Sequence, residues 1–211
     1  MVIPAEIQDL VDRPAEALHV ELKEWIDISA PVVRAKSARH LAALANHGGG
    51  YLIIGICDDG SLDSQHPGDF SAFTHDQVTG IVDRYLTPAF QCDVFIVSPA
   101  GGGGECVVVR IPSHGSVPIC AKADGPHDER GRPQGIRKGE YYIRLPGPKS
   151  APIDSPEQWR ALIHRCVLNE RQGLLESIAR VLMPAERVPE QVGATLADWH
   201  DAMRKHIKEL L

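Results

Sequence analysis

The stretch from Ala42 to Gly60, A-A-L-A-N-H-G-G-G-Y-L-I-I-G-I-C-D-D-G, constrains this chain more than any other. Leu41, Leu44 and Ala45 recur at helical spacing, and Gly48 follows Asn46 and His47 where a helix most readily ends in a left-handed residue. Tyr51 to Ile56 is a short, almost unbroken apolar run of the kind that forms a strand covered on both faces. Strand side chains alternate, so Leu52, Ile54, Ile56 and Asp58 are expected on one face and Tyr51, Ile53 and Cys57 on the other. Asp58 then leaves a buried strand, where a carboxylate is costly unless it meets a metal, a base or hydrogen-bond donors.

The flanking patterns predict an α+β fold, a mixed sheet flanked by helices. Ile3, Ile7, Leu10 and Val11 fall at helical intervals in a short N-terminal helix or arm that Pro14 ends. Leu18 to Lys23 alternates, which predicts a strand with Leu18, Val20 and Leu22 inward and Glu21 and Lys23 on the other face. Ser29 to Arg34 reads as a loop. The helix from Lys36 to His47 carries Arg34, Lys36, Arg39 and His40 on its exposed side, a candidate phosphate-facing rim, though a solvated helix shows the same pattern. Thr74-His75-Asp76-Gln77 is a capping box opening a helix to about Leu86. Phe90 to Val97 and Cys106 to Ile111 form a hairpin with a glycine-rich tip. A short strand at Ile119 to Lys122, a polar loop from Asp124 to Gly135, a strand at Gly139 to Arg144 and a loop from Leu145 to Asp154 follow. Ser155-Pro156-Glu157 begins a helix to about Arg171. Stretches near Leu174 to Met183 and Leu196 to Leu211 predict a helical tail, broken between Pro184 and Pro189. The expected division is a domain over residues 1–170 and a tail over 171–211 that serves as a possible oligomerisation element.

Composition narrows the function. Five cysteines, with no C-x-x-C pair, argue against a disulfide scaffold and for a reducing compartment. No apolar run approaches the roughly 20 residues needed to span a bilayer, and the N-terminus lacks the regions of a signal peptide, so a cytoplasmic location without membrane attachment is expected. A formal charge of -6 gives no general attraction to polyanions, so such a partner must be held by a local basic surface or through metal ions. That surface is available between Lys122 and Lys149, where Lys122, Arg130, Arg132, Arg137, Lys138, Arg144 and Lys149 outnumber Asp124, Asp128, Glu129 and Glu140.

Three chemistries compete. Phosphate-cradling loops run strand, glycines, helix, whereas Gly48-Gly49-Gly50 lies between a helix and the following strand, which argues against a nucleotide cradle. Cys106, His114 and Cys120 are close enough in sequence to hold zinc, although single strand cysteines more often serve as small buried hydrophobes. Glu16, Glu21 and Lys23 lie just before the glycines, and Asp58 and Asp59 just after the strand. If the two strands pair, Glu21 and Asp58 are expected to approach at one sheet end, with Glu16 feeding in. Such a carboxylate group suits magnesium or manganese. The metal would activate water and neutralise a scissile phosphate, with Lys23 stabilising developing charge.

In combination, Glu16-Ala17-Leu18-His19-Val20-Glu21-Leu22-Lys23, Ala45-Asn46-His47-Gly48-Gly49-Gly50-Tyr51-Leu52-Ile53-Ile54-Gly55-Ile56 and Tyr141-Tyr142-Ile143-Arg144 resemble the Schlafen AlbA-like domain family. Members characteristically show E-x-x-x-x-E-F-K, A-N-T-x-G-G-x-L-x-I-G-V-x-D and Y-x-R in this order; here Leu22 replaces the aromatic and His47 the threonine. The resemblance covers roughly residues 10–165. It implies a nucleic-acid-binding mixed α/β domain, and in some Schlafen proteins a metal-dependent endoribonuclease acting on structured RNA such as tRNA. Matched by motif, the acidic triad would be Glu16, Glu21 and Asp58, holding Mg2+ or Mn2+, with Lys23 in the family's lysine position. The nucleases often combine two such lobes around a cleft, which implies a homo-oligomer or a partner domain here. Phosphate contacts are expected from Arg39, Lys122, Arg137, Lys138 and Arg144, with RNA favoured and DNA possible. The alternatives are a non-catalytic DNA-binding or regulatory module and a protein-interaction module using the tail.

Overall fold

The computed structural model describes residues 3–65 and 70–182, with side chains as far as residue 178. The expected tail helix at Leu196 to Leu211 lies outside the described residues. Two compact units are distinguished, residues 1–170 and 171–211.

The first unit is built on a four-stranded mixed sheet of order β1-β2-β5-β4: β1 Val20–Lys23, β2 Gly50–Ile54, β4 Asp93–Val97 and β5 Cys106–Ile111. β1 and β2 run parallel, with Glu21 level with Leu52, and the connection between them is α2, Pro31–His47. β5 then pairs antiparallel with both β2 and β4, so the expected hairpin is present. The pair β3 (Leu86–Thr87) and β6 (Cys120–Ala121) and the hairpin of β7 (Tyr142–Leu145) with β8 (Lys149–Pro152) complete the sheets. α1 is Ala5–Asp12 and α3 is His75–Tyr85.

Both sheet faces are covered, as the unbroken apolar run of β2 requires. Leu52 and Ile54 join Val107 and Val109 against α2 and α3, in a cluster that holds Leu41, Leu44, Ile81 and Val82. Ile53 joins Val20, Leu22, Val108 and Val97 against Ile7 and Val11 of α1. Burying an aliphatic side chain of this size contributes roughly 1.5–3 kcal/mol each.

Local signals were read by the backbone much as the sequence dictates. The Thr74 side chain accepts from the Gln77 N–H at 3.2 Å, capping α3. α2 closes on Gly48 at φ 118°, the left-handed residue expected there. α2 nevertheless starts earlier than the periodicity predicts, because Pro31 takes the first helical turn, where a missing N–H costs nothing. Residues 145–154 are a hairpin arm rather than a loop, and α4 runs as one helix, Pro156–Leu182, where two were expected.

Two expected faces change. Ala17 and Val20 exchange both backbone hydrogen bonds, which puts Leu18 at the tip of a tight turn, 38% exposed rather than inward. Gly55, at φ +100°, breaks the alternation after β2, so Ile56 packs with Ile53 instead of with Leu52 and Ile54. A Cβ on Gly55 would lie 2.5 Å from the Trp25 ring, so the phase slip also makes room for that indole.

Asn46 ties the end of α2 to two distant segments. Its amide donates to the carbonyls of Ile119 at 2.8 Å and Tyr142 at 2.9 Å, and its oxygen accepts from the Ile119 N–H at 2.7 Å. The side chain is fully buried, so truncation strands three buried backbone groups. Asn46→Ala is expected to lower unfolding stability by about 3 kcal/mol or more, at about 1–3 kcal/mol per orphaned group, read as a shift of the urea midpoint.

Candidate nucleic-acid interface

Glu21 is on the α2 face of β1 and is 3% exposed. A carboxylate so deep must be paired. Its partners come from β7, α2 and β1 itself. Arg144 of β7 donates to Oε2, Lys23 Nζ lies 2.7 Å from Oε1, and Nδ1 of His40 on α2 lies 3.1 Å from the same oxygen. Ser150 of β8 joins through its hydroxyl, 3.0 Å from Arg144 Nη1 and 3.1 Å from His40 Nδ1.

Arg144 is wholly enclosed. Besides Glu21 and Ser150, its guanidinium donates to the carbonyls of Ala17 at 3.0 Å, Leu18 at 3.2 Å and Val20 at 3.1 Å. It therefore fastens the turn before β1 to the β7–β8 hairpin and is no phosphate contact, correcting the expectation drawn from its cationic neighbourhood. Its side chain has no solvent exposure.

Burial would raise the Glu21 pKa, but hydrogen bonds and charge from His40 and Lys23 outweigh it and hold the carboxyl at about 2. The Arg144 guanidinium acts in the same direction. His40 is pushed below the ordinary histidine value, chiefly by desolvation, with the Glu21 contact opposing. Neutral imidazole can still donate its Nδ1–H to Glu21.

The sequence-based acidic triad does not assemble. Glu16 is exposed on the segment before the Ala17–Val20 turn. Asp58 is exposed in the turn that closes when Gly60 N–H bonds Cys57 O and Cys57 N–H bonds Ser61 O. Asp59 is spent locally, accepting from the Ser61 N–H and hydroxyl at 2.9 and 2.6 Å. Glu21 is level with Leu52, whereas Asp58 lies beyond the C-terminal end of β2, so parallel pairing separates what it was expected to join. Among the described residues, no group of three or more His, Cys, Asp or Glu side chains could hold a metal ion. The Glu21 oxygens face a guanidinium, an ammonium and an imidazole, a donor set that fits cations of the chain itself rather than Mg2+ or Mn2+. Lys23 is equally committed, its Nζ also donating to Leu22 O at 2.7 Å. Cys106 and Cys120 fall in separate sheets, and Cys106 donates to Val97 O, so they do not assemble zinc ligands with His114.

What the fold does gather is a cationic surface. The loop from Asp124 to Ile136 packs on the start of α2: a Cβ on Gly125 would sit 2.9 Å from the Ala35 Cβ, and one on Gly135 2.7 Å from the Lys36 N. Tyr142 continues the join, its hydroxyl accepting from the Arg137 N–H at 2.9 Å, while Arg39 is near enough for its charge to act on the phenol. The Lys138 N–H is held by Asp124 at 2.8 Å, and the Lys122 N–H by Tyr85 O at 2.8 Å. Lys36, Lys122, Arg137 and Lys138 are exposed and Arg39 is half-buried. Arg137 is partly neutralised by Glu140 at 3.5 Å and Arg132 by Asp128 at 3.0 Å. Lys36, Lys122 and Lys138 have no ion-pair partner among the described residues. His40 and Ser150 were not legible as members of the buried cluster. Ser150 lay in a stretch without periodicity.

An α+β domain with a buried Glu–Arg lock and a basic outer face is thus defined. The chain belongs to the Schlafen, AlbA_2 family, whose model matches residues 16–151. It is also similar to the solution NMR structure of the N-terminal domain of a protein from Nitrosomonas europaea described as related to the ATP-dependent DNA helicase RecG. That likeness has 21% identity and a TM-score of 0.37, covering 69% of this chain and 95% of that one. No curated protein matches the chain. No helix among the described residues is long and apolar enough to cross a membrane.

The Glu21 cluster sets an acid limit. Its folded pKa, about 2, lies below the reference 4.5, so its contribution is complete above pH 4.5 and is lost as pH falls toward 2. That window is expected to remove about 3 kcal/mol from wild-type stability. Arg144→Ala, which leaves Glu21 buried without its guanidinium, is expected to cost about 3–5 kcal/mol at neutral pH and to flatten the acid limb; chemical denaturation across pH reads both.

Proposed function

We propose that this domain binds nucleic acid through phosphate contacts on the surface formed by α2 and residues 122–138. The observation that supports this reading is the convergence of Lys36, Arg39, Lys122, Arg137 and Lys138, from two separated stretches, on one side of a chain whose formal charge is -6. An acidic protein that concentrates cations locally, and leaves three of them without carboxylate partners, has a surface suited to a polyanion. Membership of the family agrees with that reading, since its domains are associated with nucleic acid. The carboxylates take no part in it. Glu21 serves the fold, and the reading is one of binding rather than cleavage.

Arg137 and Lys138 are mounted on backbone hydrogen bonds to Tyr142 and Asp124, so their positions are fixed before a ligand arrives, while their long side chains remain adaptable. Each phosphate neutralised releases counterions, which makes affinity fall steeply with salt.

Lys122→Glu, Arg137→Glu and Lys138→Glu combined are expected to weaken binding of duplex DNA and of folded RNA by about tenfold or more, and to reduce the slope of log affinity against log salt by about 0.7–0.9 per lost contact. Arg13→Ala, at the exposed residue just after α1 on the other side of the sheet, is expected to change neither. Fluorescence anisotropy over a salt series measures both. Equal binding by the triple variant and wild type would remove the reading.

A further inference from the structure

A few residues beyond the cationic segment, Tyr141 packs on an exposed aromatic side chain that phosphate binding does not use. Trp159, in the first turn of α4, is 39% exposed, unusual for the largest apolar side chain. It is not loose: the ring meets Tyr141 edge-on, with centroids 5.0 Å apart and planes at 65°. Ser155 caps the helix beneath it, accepting from the Gln158 N–H at 3.3 Å, and the Trp159 N–H bonds Ser155 O at 3.2 Å. Ile153 N–H donates to Tyr141 O at 2.9 Å, which fixes the neighbouring wall. Between these residues lies an open cleft of about 660 Å³, walled by Ile153, Pro156, Trp159 and Ile163 and rimmed by Arg160 and Asp154. Ile163 is 55% exposed at its far side.

The chain links the cationic segment to Tyr141, the residue that braces Trp159. Tyr141 follows Arg137 and Lys138 by a few residues, and that segment is pinned beside Lys122 by Gly139 N–H to Ala121 O at 2.7 Å and Ala121 N–H to Glu140 O at 2.9 Å. The backbone carrying Lys122 is therefore paired with the segment that leads into Tyr141, and Arg160, one residue on from Trp159, stands at the rim of the cleft. Glu140 and Asp154 lie nearby, so an anion would be steered toward the cations rather than into the cleft. A rigid indole wall with apolar neighbours, bordered by cations, matches a ligand with a flat π face joined to a phosphate backbone.

We infer that Trp159, braced by Tyr141, is a stacking platform for an unpaired nucleobase, so that the domain prefers single-stranded or locally unpaired nucleic acid over uninterrupted duplex. This deepens the nucleic-acid reading and rests on it. Every base presents a π face, so the platform confers preference for unpaired strands without sequence specificity. A base pair inside a duplex cannot reach it, because both its faces are covered by neighbouring pairs.

The test uses the full chain and labelled oligonucleotides: a single-stranded oligo(dA), a fully abasic strand of the same length, and a blunt duplex. Anisotropy titrations at one fixed salt concentration are expected to show the single strand binding about tenfold more tightly than the duplex. Trp159→Ala is expected to erase that preference while leaving duplex affinity unchanged, and Trp159→Phe to retain most of it. The abasic strand reads the same contact without altering the protein, and is expected to bind wild type as weakly as duplex does. Two results would overturn the platform while sparing the basic surface: equal affinity for single strand and duplex, or an intact preference in Trp159→Ala. A change of oligomeric mass in Trp159→Ala, with oligonucleotide binding unaffected, would assign the cleft to a second copy and overturn it as well. Absence of binding to any probe would remove both readings.

Discussion

The structure depends on one buried contact, the Arg144 guanidinium against the Glu21 carboxylate. Both groups are out of water, and neither tolerates the loss of the other, because an uncompensated charge in that environment costs several kcal/mol. What the pair contributes is specification more than net stability, since a well-packed apolar pair of similar volume is often as stable. Only one arrangement of β1, α2 and the β7–β8 hairpin lets Glu21 meet Arg144, Lys23 and His40 while Arg144 also reaches three carbonyls of the turn at Ala17 to Val20. β1 is an edge strand, and the guanidinium adds a second donor to the Ala17 and Val20 carbonyls, which already accept from each other's N–H, and takes the otherwise open Leu18 carbonyl.

The cationic surface is a consequence of that lock and of Asn46. Asn46 holds the β6 and β7 segments against the C-terminal part of α2, and glycines at 125 and 135 let the intervening loop lie directly on the N-terminal part. Any side chain at those two positions would collide with backbone, which is why the loop approaches closely enough to set its cations beside those of α2. Packing of the interior therefore decides the electrostatics of the exterior: residues nearly a hundred apart in sequence present one face.

Much of this was legible from the chain. The helix stop at Gly48, the covered strand after it, the Thr74 cap and the hairpin of β4 and β5 follow from local rules, because caps, turns and periodicity act over a few residues. The family motifs were legible too, and Glu21, Asn46 and Arg144 among their residues occupy buried positions in the fold. Their roles were not. Glu21 and Asp58 read as partners because each is a carboxylate on a predicted strand or at its end, but Glu21 pairs with cations of the chain, and the guanidinium that seals it is 123 residues away. Gly55 illustrates the same limit at short range: alternation from Leu52 predicts the face of Ile56, and a single positive φ reverses it.

The sequence alone determined most of the helices and strands, the C-terminal end of α2 and the start of α3, that β2 must be covered on both faces, and that cations gather between Lys122 and Lys149. Only the tertiary structure decided which charges are surface and which are core. Arg137, Lys138 and Arg144 lie within eight positions of one another in the same basic stretch, yet two are exposed and the third is sealed. Burial is set by what packs from the rest of the chain, and a charge's chemistry follows its burial: in water it is available to a ligand, and out of water it is consumed by its counter-ion.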